Sequence, residues 1–326
     1  MNKLTKIGVS ALAGSLAMTA VNAAEGSVSV TTGFAFASTG DENTKTLPYQ
    51  MDSVVFSASG ETDGGITVSA SMELDNDNPA TNAGMDDRKV SFGTDTMGTV
   101  TFHGHGGSSV MGQWDDMTPN AYEEVWDTTT GADYRIDGRS GNNLLTYDSP
   151  SFNGVMFKAA YQHDHSTATG QAQDLTHYAD FGIQISPEMV EGLTIGYGMA
   201  ELDDTTSTSI DQETMFIKYA IGGLTVAYQT HEADGSTADK NDESESFGVS
   251  YAINENMTIA YGQRDYNDDT SSNSTTVEQN DSGISASYTM GGMTIAGHMN
   301  QNDNVGGSTD ATNDKESYEF ALTFAF

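Results

Sequence analysis

Along most of the chain, apolar and polar residues alternate one by one. The last segment shows it most clearly: Tyr318, Phe320, Leu322, Phe324 and Phe326 are separated by Glu319, Ala321, Thr323 and Ala325. A period of two belongs to a β-strand with chemically opposite faces. Near the other end, Val28, Val30, Phe34 and Phe36 share one face, and Ser27, Ser29, Thr31, Gly33 and Ala35 the other. Between them the same reading predicts about fourteen more strands, near residues 52–61, 66–74, 88–94, 99–105, 143–149, 155–164, 177–186, 193–202, 213–221, 224–231, 244–253, 257–265, 281–290 and 293–300. Sets such as Ile66/Val68/Ala70/Met72 and Leu193/Ile195/Tyr197/Met199 lie opposite Ser, Thr, Gly, Gln and Lys. With no apolar interior left to fill, the apolar faces must point outward into lipid.

The connections alternate as well. Tight-turn chemistry occurs at 62–65, 95–98, 151–154, 222–223, 254–256 and 291–292, all built from Gly, Asn, Asp and their neighbours. Long hydrophilic stretches lie between, around 39–50, 75–87, 105–142, 165–176, 203–212, 232–243, 266–280 and 301–316. Short turns at one end and long loops at the other predict an all-β, antiparallel, up-and-down transmembrane barrel of about sixteen strands. A barrel that wide cannot be filled by side chains, so its lumen holds water.

The amino terminus adds an address. Lys3 and Lys6 precede an almost uncharged run from Ile7 to Val21, which ends at Asn22-Ala23-Ala24. This predicts an export signal over 1–23, cleaved after Ala23 or Ala24, and a barrel domain over 24–326. No later window approaches the roughly 18 consecutive apolar residues of a spanning helix. Cysteine is absent, so no disulfide framework holds the exported fold. The 47 acidic against 12 basic residues, formally −35, exclude nucleic acid as a partner and favour cations.

Specific segments carry a family resemblance. Gly138-Arg139-Ser140-Gly141-Asn142-Asn143 through Tyr147-Asp148-Ser149-Pro150-Ser151-Phe152-Asn153-Gly154-Val155, the hairpin Val90–Phe102 and the terminal Phe326 resemble the Gram-negative trimeric general-diffusion porins. The resemblance implies a homotrimer in outer-membrane lipid and lipopolysaccharide, with a third loop, here 105–142, folded into the lumen. It implies passive diffusion of small hydrophilic solutes and ions, and no catalysis. One departure stands out: after Thr101-Phe102 the family usually has Gly-Arg-Gln, whereas this chain has His103-Gly104-His105. A customary arginine of the pore wall is therefore absent.

Selectivity then rests on fixed charges at the constriction. On the third loop the candidates are Asp115, Asp116, Glu123, Glu124, Asp127, Asp133 and Asp137, facing Arg135 and Arg139. Strand parity puts Lys89, Lys158, Lys218 and Arg264 on the inward face as wall cations. Trp114 and Trp126 are read as anchors of the loop against the wall, and Tyr147, Tyr161, Tyr228 and Tyr261 as aromatic girdles. His103, His105 and His298 also point inward; they are read as hydrated wall residues, with no metal site and no cofactor expected. Acidic loops at Asp203-Asp204, Asp242-Glu243 with Glu245, and Asp268-Asp269 are candidate Ca²⁺ ligands, though without EF-hand spacing.

Three other readings compete. A barrel hydrolase needs a converging Ser, His and acid, which no motif marks. A surface adhesin shares the strands but not the outward apolar parity. A solute-specific channel requires a lumenal aromatic track or clustered Lys and Arg, and the inward faces carry neither. A cation-preferring diffusion channel fits best.

Overall fold

The computed structural model describes residues 22–39, 47–75, 84–126, 138–141, 143–163, 175–204, 208–235, 241–268 and 277–326. The first strands are β1 (Asn22–Thr39), β2 (Leu47–Glu61), β3 (Thr67–Asp75), β4 (Gly84–Thr94) and β5 (Gly98–His105). The third loop follows, with the one-turn helix α1 (Val110–Gln113) and a small pair made by β6 (Gly107–Ser108) and β7 (Ser140–Gly141). The chain rejoins the wall in β8 (Leu144–Asp148), β9 (Val155–His163), β10 (Leu175–Ile185), β11 (Leu193–Asp204) and β12 (Thr208–Ile221). It continues through β13 (Leu224–Gly235), β14 (Asp242–Asn254), β15 (Met257–Asp268), β16 (Gln279–Met290), β17 (Met293–Asp303) and β18 (Lys315–Ala325).

Without β6 and β7, sixteen strands close into one antiparallel barrel, each paired to its neighbour in sequence and β1 to β18. Closure is direct: Phe34 pairs Leu322 and Phe36 pairs Phe320, and Val30 and Phe326 exchange backbone hydrogen bonds of 3.1 and 2.9 Å. The predicted tight turns all appear between paired strands.

Parity is as expected. Phe181, Met215, Ile217, Tyr228, Phe247, Ile284 and Phe320 are exposed on the outer face. Their strand neighbours, including Asp180, Thr214, Gln229, Ser246, Ser285 and Ala321, point inward and are buried. A soluble protein with this surface would aggregate; in a bilayer it is the solvated side.

The predicted long loops are shorter than the sequence suggests. β11 and β12 leave only 205–207 between them, β13 runs to Gly235, and β15 runs to Asp268. These strand ends escaped the pattern because their outer face is charged and their inner face, with Gln212, Asp242 and Ser244 buried on it, is largely polar too. Their outer face carries Glu201, Asp211, Glu213, Glu232, Asp234, Glu243 and Glu245, all exposed, with Glu232 set between Glu213 and Glu243. Charges cannot sit in hydrocarbon at this density, so this row marks where the apolar band ends. It also corrects the proposed acidic loops. Asp203-Asp204, Asp242-Glu243 and Asp268 are strand residues, and Asp242 points inward and is buried while Glu243 points out, so the pair forms no common ligand set. Asp269 lies outside the described residues.

Ile217 faces outward between the acidic row and the turn at Gly222-Gly223. Ile217→Arg is expected to destabilise the inserted barrel by about 2–4 kcal/mol, whereas Glu213→Lys beyond the band should change it by less than about 1 kcal/mol. Equilibrium urea unfolding in lipid vesicles checks both.

Candidate functional site

The third loop leaves β5 at Gly106 and lies against the inner wall. Ser109 starts α1: its Oγ accepts the Gly112 N–H at 3.3 Å and the Arg139 N–H at 3.0 Å, so one hydroxyl holds the outgoing and returning limbs together. Asp180 of β10, fully buried, accepts the Met111 N–H at 2.9 Å and the Tyr178 hydroxyl at 3.0 Å. From there the loop runs across the strands in order. Gln229 of β13 accepts the Met117 N–H at 2.7 Å, Ser285 of β16 the Ala121 N–H at 2.9 Å, and Asn300 and Asn302 of β17 donate to the carbonyls of Glu124 and Val125 at 3.1 and 2.9 Å. The loop's backbone polar groups thus find wall side chains in place of the water they lose.

Close approach requires missing side chains on the wall. A Cβ on Gly182 or Gly198 would lie 2.4 or 3.1 Å from the Trp114 ring, one on Gly248 2.8 Å from Pro119, and one on Gly262 2.9 Å from Val125. Inward glycines on β10, β11, β14 and β15 therefore form a seam that receives the loop. Trp114, 2% exposed, packs edge-on to Phe216 at 5.3 Å between centroids. Trp126 covers the Arg264 guanidinium at 4.5 Å. Both tryptophans are anchors, as their position in the sequence suggested.

The acids divide by environment. Asp115 is exposed; Asp116, Glu123 and Glu124 are half-buried along the loop. Asp116 accepts from the Thr118 hydroxyl at 2.6 Å, the Thr118 N–H at 2.9 Å and Asn120 at 3.1 Å. Burial pushes its carboxyl pKa up, partly offset by these hydrogen bonds and by Lys218. Asp127, Asp133, Asp137 and Arg135 lie outside the described residues.

The wall cations differ from the expectation in one case. Lys158 reaches Asp148 at 2.6 Å and Gln113 at 2.9 Å, bracing α1 against the wall, and Lys218 faces Asp116. Lys89 stands on a wall of serines, with Ser57, Ser59, Ser69 and Ser71 and with Glu25. Arg139 joins the loop's return limb beside Ser109. Arg264 points inward, as parity predicts, yet it does not line open water. It is 2% exposed, paired with the fully buried Asp281 at 2.8 Å and roofed by Trp126. A desolvated guanidinium needs its partner in contact, and Gln279 and Asn302 complete the carboxylate's hydrogen bonds.

Several functional residues went unread in the sequence. Glu319 accepts from Tyr49 at 2.9 Å and from Tyr122 of the third loop. Tyr122 also stacks on His298, 5.9 Å between centroids. Parity alone would have put Glu319 inside, since it alternates with Tyr318 and Phe320. Asp148, Asp180 and Asp281 were legible by the same rule.

The described part of the loop therefore lies along the inner wall from β9 to β18, and among the described residues the serine-lined wall of β1–β4 carries Lys89 and Glu25.

A family model described as Gram-negative porin matches residues 8–307. No curated protein matches. Among solved structures, the chain is similar to an anion-selective porin from Comamonas acidovorans, at 14% identity and TM-score 0.69, covering 93% of this chain and 100% of that one. It is also similar to a loop L8 deletion mutant of OmpT, an outer-membrane protein of Vibrio cholerae, at 10% identity and TM-score 0.71, covering 94% and 100%. A trimer form of OmpT from the same organism aligns at 9% identity and TM-score 0.69, covering 94% and 100%.

Gly182→Val forces a side chain into the Trp114 ring. The variant is expected to insert as a barrel but to release the loop. New protease cuts within 110–126 and altered single-channel conductance should appear together, with heat-modifiable electrophoretic mobility retained.

Proposed function

The chain belongs to the Gram-negative porin family, channels of the outer membrane, and we propose that it is a general-diffusion porin that passes small hydrophilic solutes and prefers cations. The observation that carries the preference is the state of the wall cations. Arg264 is sealed beneath Trp126 with Asp281, and Lys158 is held by Asp148, whereas Asp115 is exposed on the loop and Glu25 on the serine wall. Those two positive charges are neutralised close to where they arise; Lys89 stays exposed on the serine wall with Glu25 near it, and the charge left at the lumen is predominantly carboxylate.

No step of bond chemistry enters. A hydrated ion meets a loop and a wall whose hydroxyls and amides replace little of its hydration shell, and the surrounding carboxylates raise the local cation concentration. Among the described inward aromatics, Tyr178, Phe216 and Tyr266 are buried, and the exposed Tyr49 is tied to Glu319, so no continuous aromatic track lines the wall, which supports general diffusion over a channel for one solute. Residues 1–23 act as the export signal in this reading. The assembly is a homotrimer within outer-membrane lipid and lipopolysaccharide; the trimer form of OmpT supports that stoichiometry.

Planar-bilayer reversal potentials in a potassium chloride gradient test the preference. Potassium is expected to be the more permeant ion, and Asp115→Asn with Glu123→Gln and Glu124→Gln should lower the permeability ratio. Asp116 adds a pH signature. Its raised pKa means that it takes up a proton at higher pH than an ordinary carboxylate, so part of the preference is lost early on acidification. Below that range the neutral side chain suits its buried setting, and the loop should hold at least as firmly. Asp116→Asn is expected to remove this early phase. Anion preference in the unaltered protein would refute the proposal.

A further inference from the structure

Two irregularities fall within a few residues of each other where β4 and β5 meet the third loop. Against β3, Met72 pairs Arg88 while Leu74 pairs Met85, so Asp86 and Asp87 together oppose Glu73. Against β5, Arg88 pairs His105 while Lys89 pairs His103, which leaves Gly104 over. Each is a β-bulge, and a bulge re-aims side chains out of the period-two order.

The result is a convergence that parity does not produce. Asp86, Asp87 and His105 bring one ligand atom each to within 4.8 Å of one another. His105 Nδ1 stands 3.6 Å from Asp86 Oδ1; both side chains are about two-fifths exposed, but the Nδ1 atom itself is covered and makes no hydrogen bond among the described residues. Gly106, at φ +65°, completes the recess, because a Cβ there would overlap the Asp87 carboxylate. The backbone gives way at the point the carboxylate occupies.

We propose that Asp86, Asp87 and His105 form a binding site for a divalent transition-metal ion, with Zn²⁺ as its representative, at the root of the third loop. The donor set decides the class. A neutral imidazole nitrogen with two carboxylates suits an ion of intermediate softness, whereas a hard ion such as Ca²⁺ draws on oxygen alone. Bond lengths of about 2.0–2.2 Å set tetrahedral ligand atoms about 3.3–3.6 Å apart. The His105–Asp86 distance meets that spacing, and the Asp87 ligand atom lies within 4.8 Å of both. Water fills the remaining positions. Glu73 adds negative potential at Asp87 and Lys89 opposes it, so the two aspartates carry most of the attraction. An ion held there cancels two carboxylates beside the point where the loop leaves the wall.

The test is isothermal titration of the untagged, chelator-washed barrel in detergent with ZnCl₂ near neutral pH. One site per chain is expected, weakened by at least about tenfold in His105→Gln and in Asp87→Asn. His163→Gln, on the outer face of β9, should leave it intact. Heat-modifiable mobility of each variant verifies folding, and the two independent ligand variants guard against a local folding defect. Absence of a Zn²⁺ site, Zn²⁺ binding that persists in His105→Gln, or loss of binding in His163→Gln instead would each overturn the proposal. Ca²⁺ binding equal to Zn²⁺ and insensitive to His105→Gln would overturn the assignment to a transition metal.

Discussion

Everything in this molecule depends on the pairing of β1 with β18. In hydrocarbon an unmatched backbone N–H or C=O costs several kcal/mol, and an open sheet would expose a full row of them on each edge. The register from Thr31–Ala325 to Thr39–Ser317 removes both edges at once. It also fixes the rest. Once the sheet is closed, each strand has one face for lipid and one for the interior, and an interior framed by sixteen strands is too wide to fill with side chains. A polar inner wall and a water-filled lumen are consequences of closure.

The third loop answers a second demand, that of narrowing this lumen without giving up hydrogen bonds. Its backbone is satisfied by Asp180, Gln229, Ser285, Asn300 and Asn302, side chains spaced across four strands, and its bulk is received by inward glycines. The buried Arg264–Asp281 pair under Trp126 belongs to the same attachment. Such a pair is a poor source of net stability, yet breaking it leaves a desolvated charge, so it resists rearrangement. The loop's position is thereby set by many moderate contacts, and its exposed carboxylates are held at defined places.

The strands were legible because lipid and lumen ask for opposite chemistry on alternate residues, and that demand writes itself into a period of two. Legibility failed at the outer strand ends, where Glu213, Glu232 and Glu243 face water on one side and polar residues line the other, so no contrast remains to be read. It failed differently at Arg264. Parity placed it inward correctly, but whether an inward residue meets water or the underside of a loop depends on the loop's path, which no local period encodes. Asp86 and Asp87 illustrate a third limit: two bulges suspend the alternation there, and the approach of His105 follows from register rather than from spacing. Glu319, by contrast, stands in the clearest strand of all: parity turns it inward, but its partners Tyr49 and Tyr122 come from distant segments that no local period joins to it.

The central claim is that the described part of the third loop lies in the conducting lumen with a cation-favouring field around it. The chain contains no cysteine, so a single Asn120→Cys gives one reactive thiol on that loop. Reaction rates with a trimethylammonium-bearing and a sulfonate-bearing methanethiosulfonate, followed by channel conductance in planar bilayers, test it directly. The account predicts faster modification by the cationic reagent and a stepwise change in conductance as each channel reacts. Equal rates for the two reagents, or modification that leaves conductance unchanged, would contradict it.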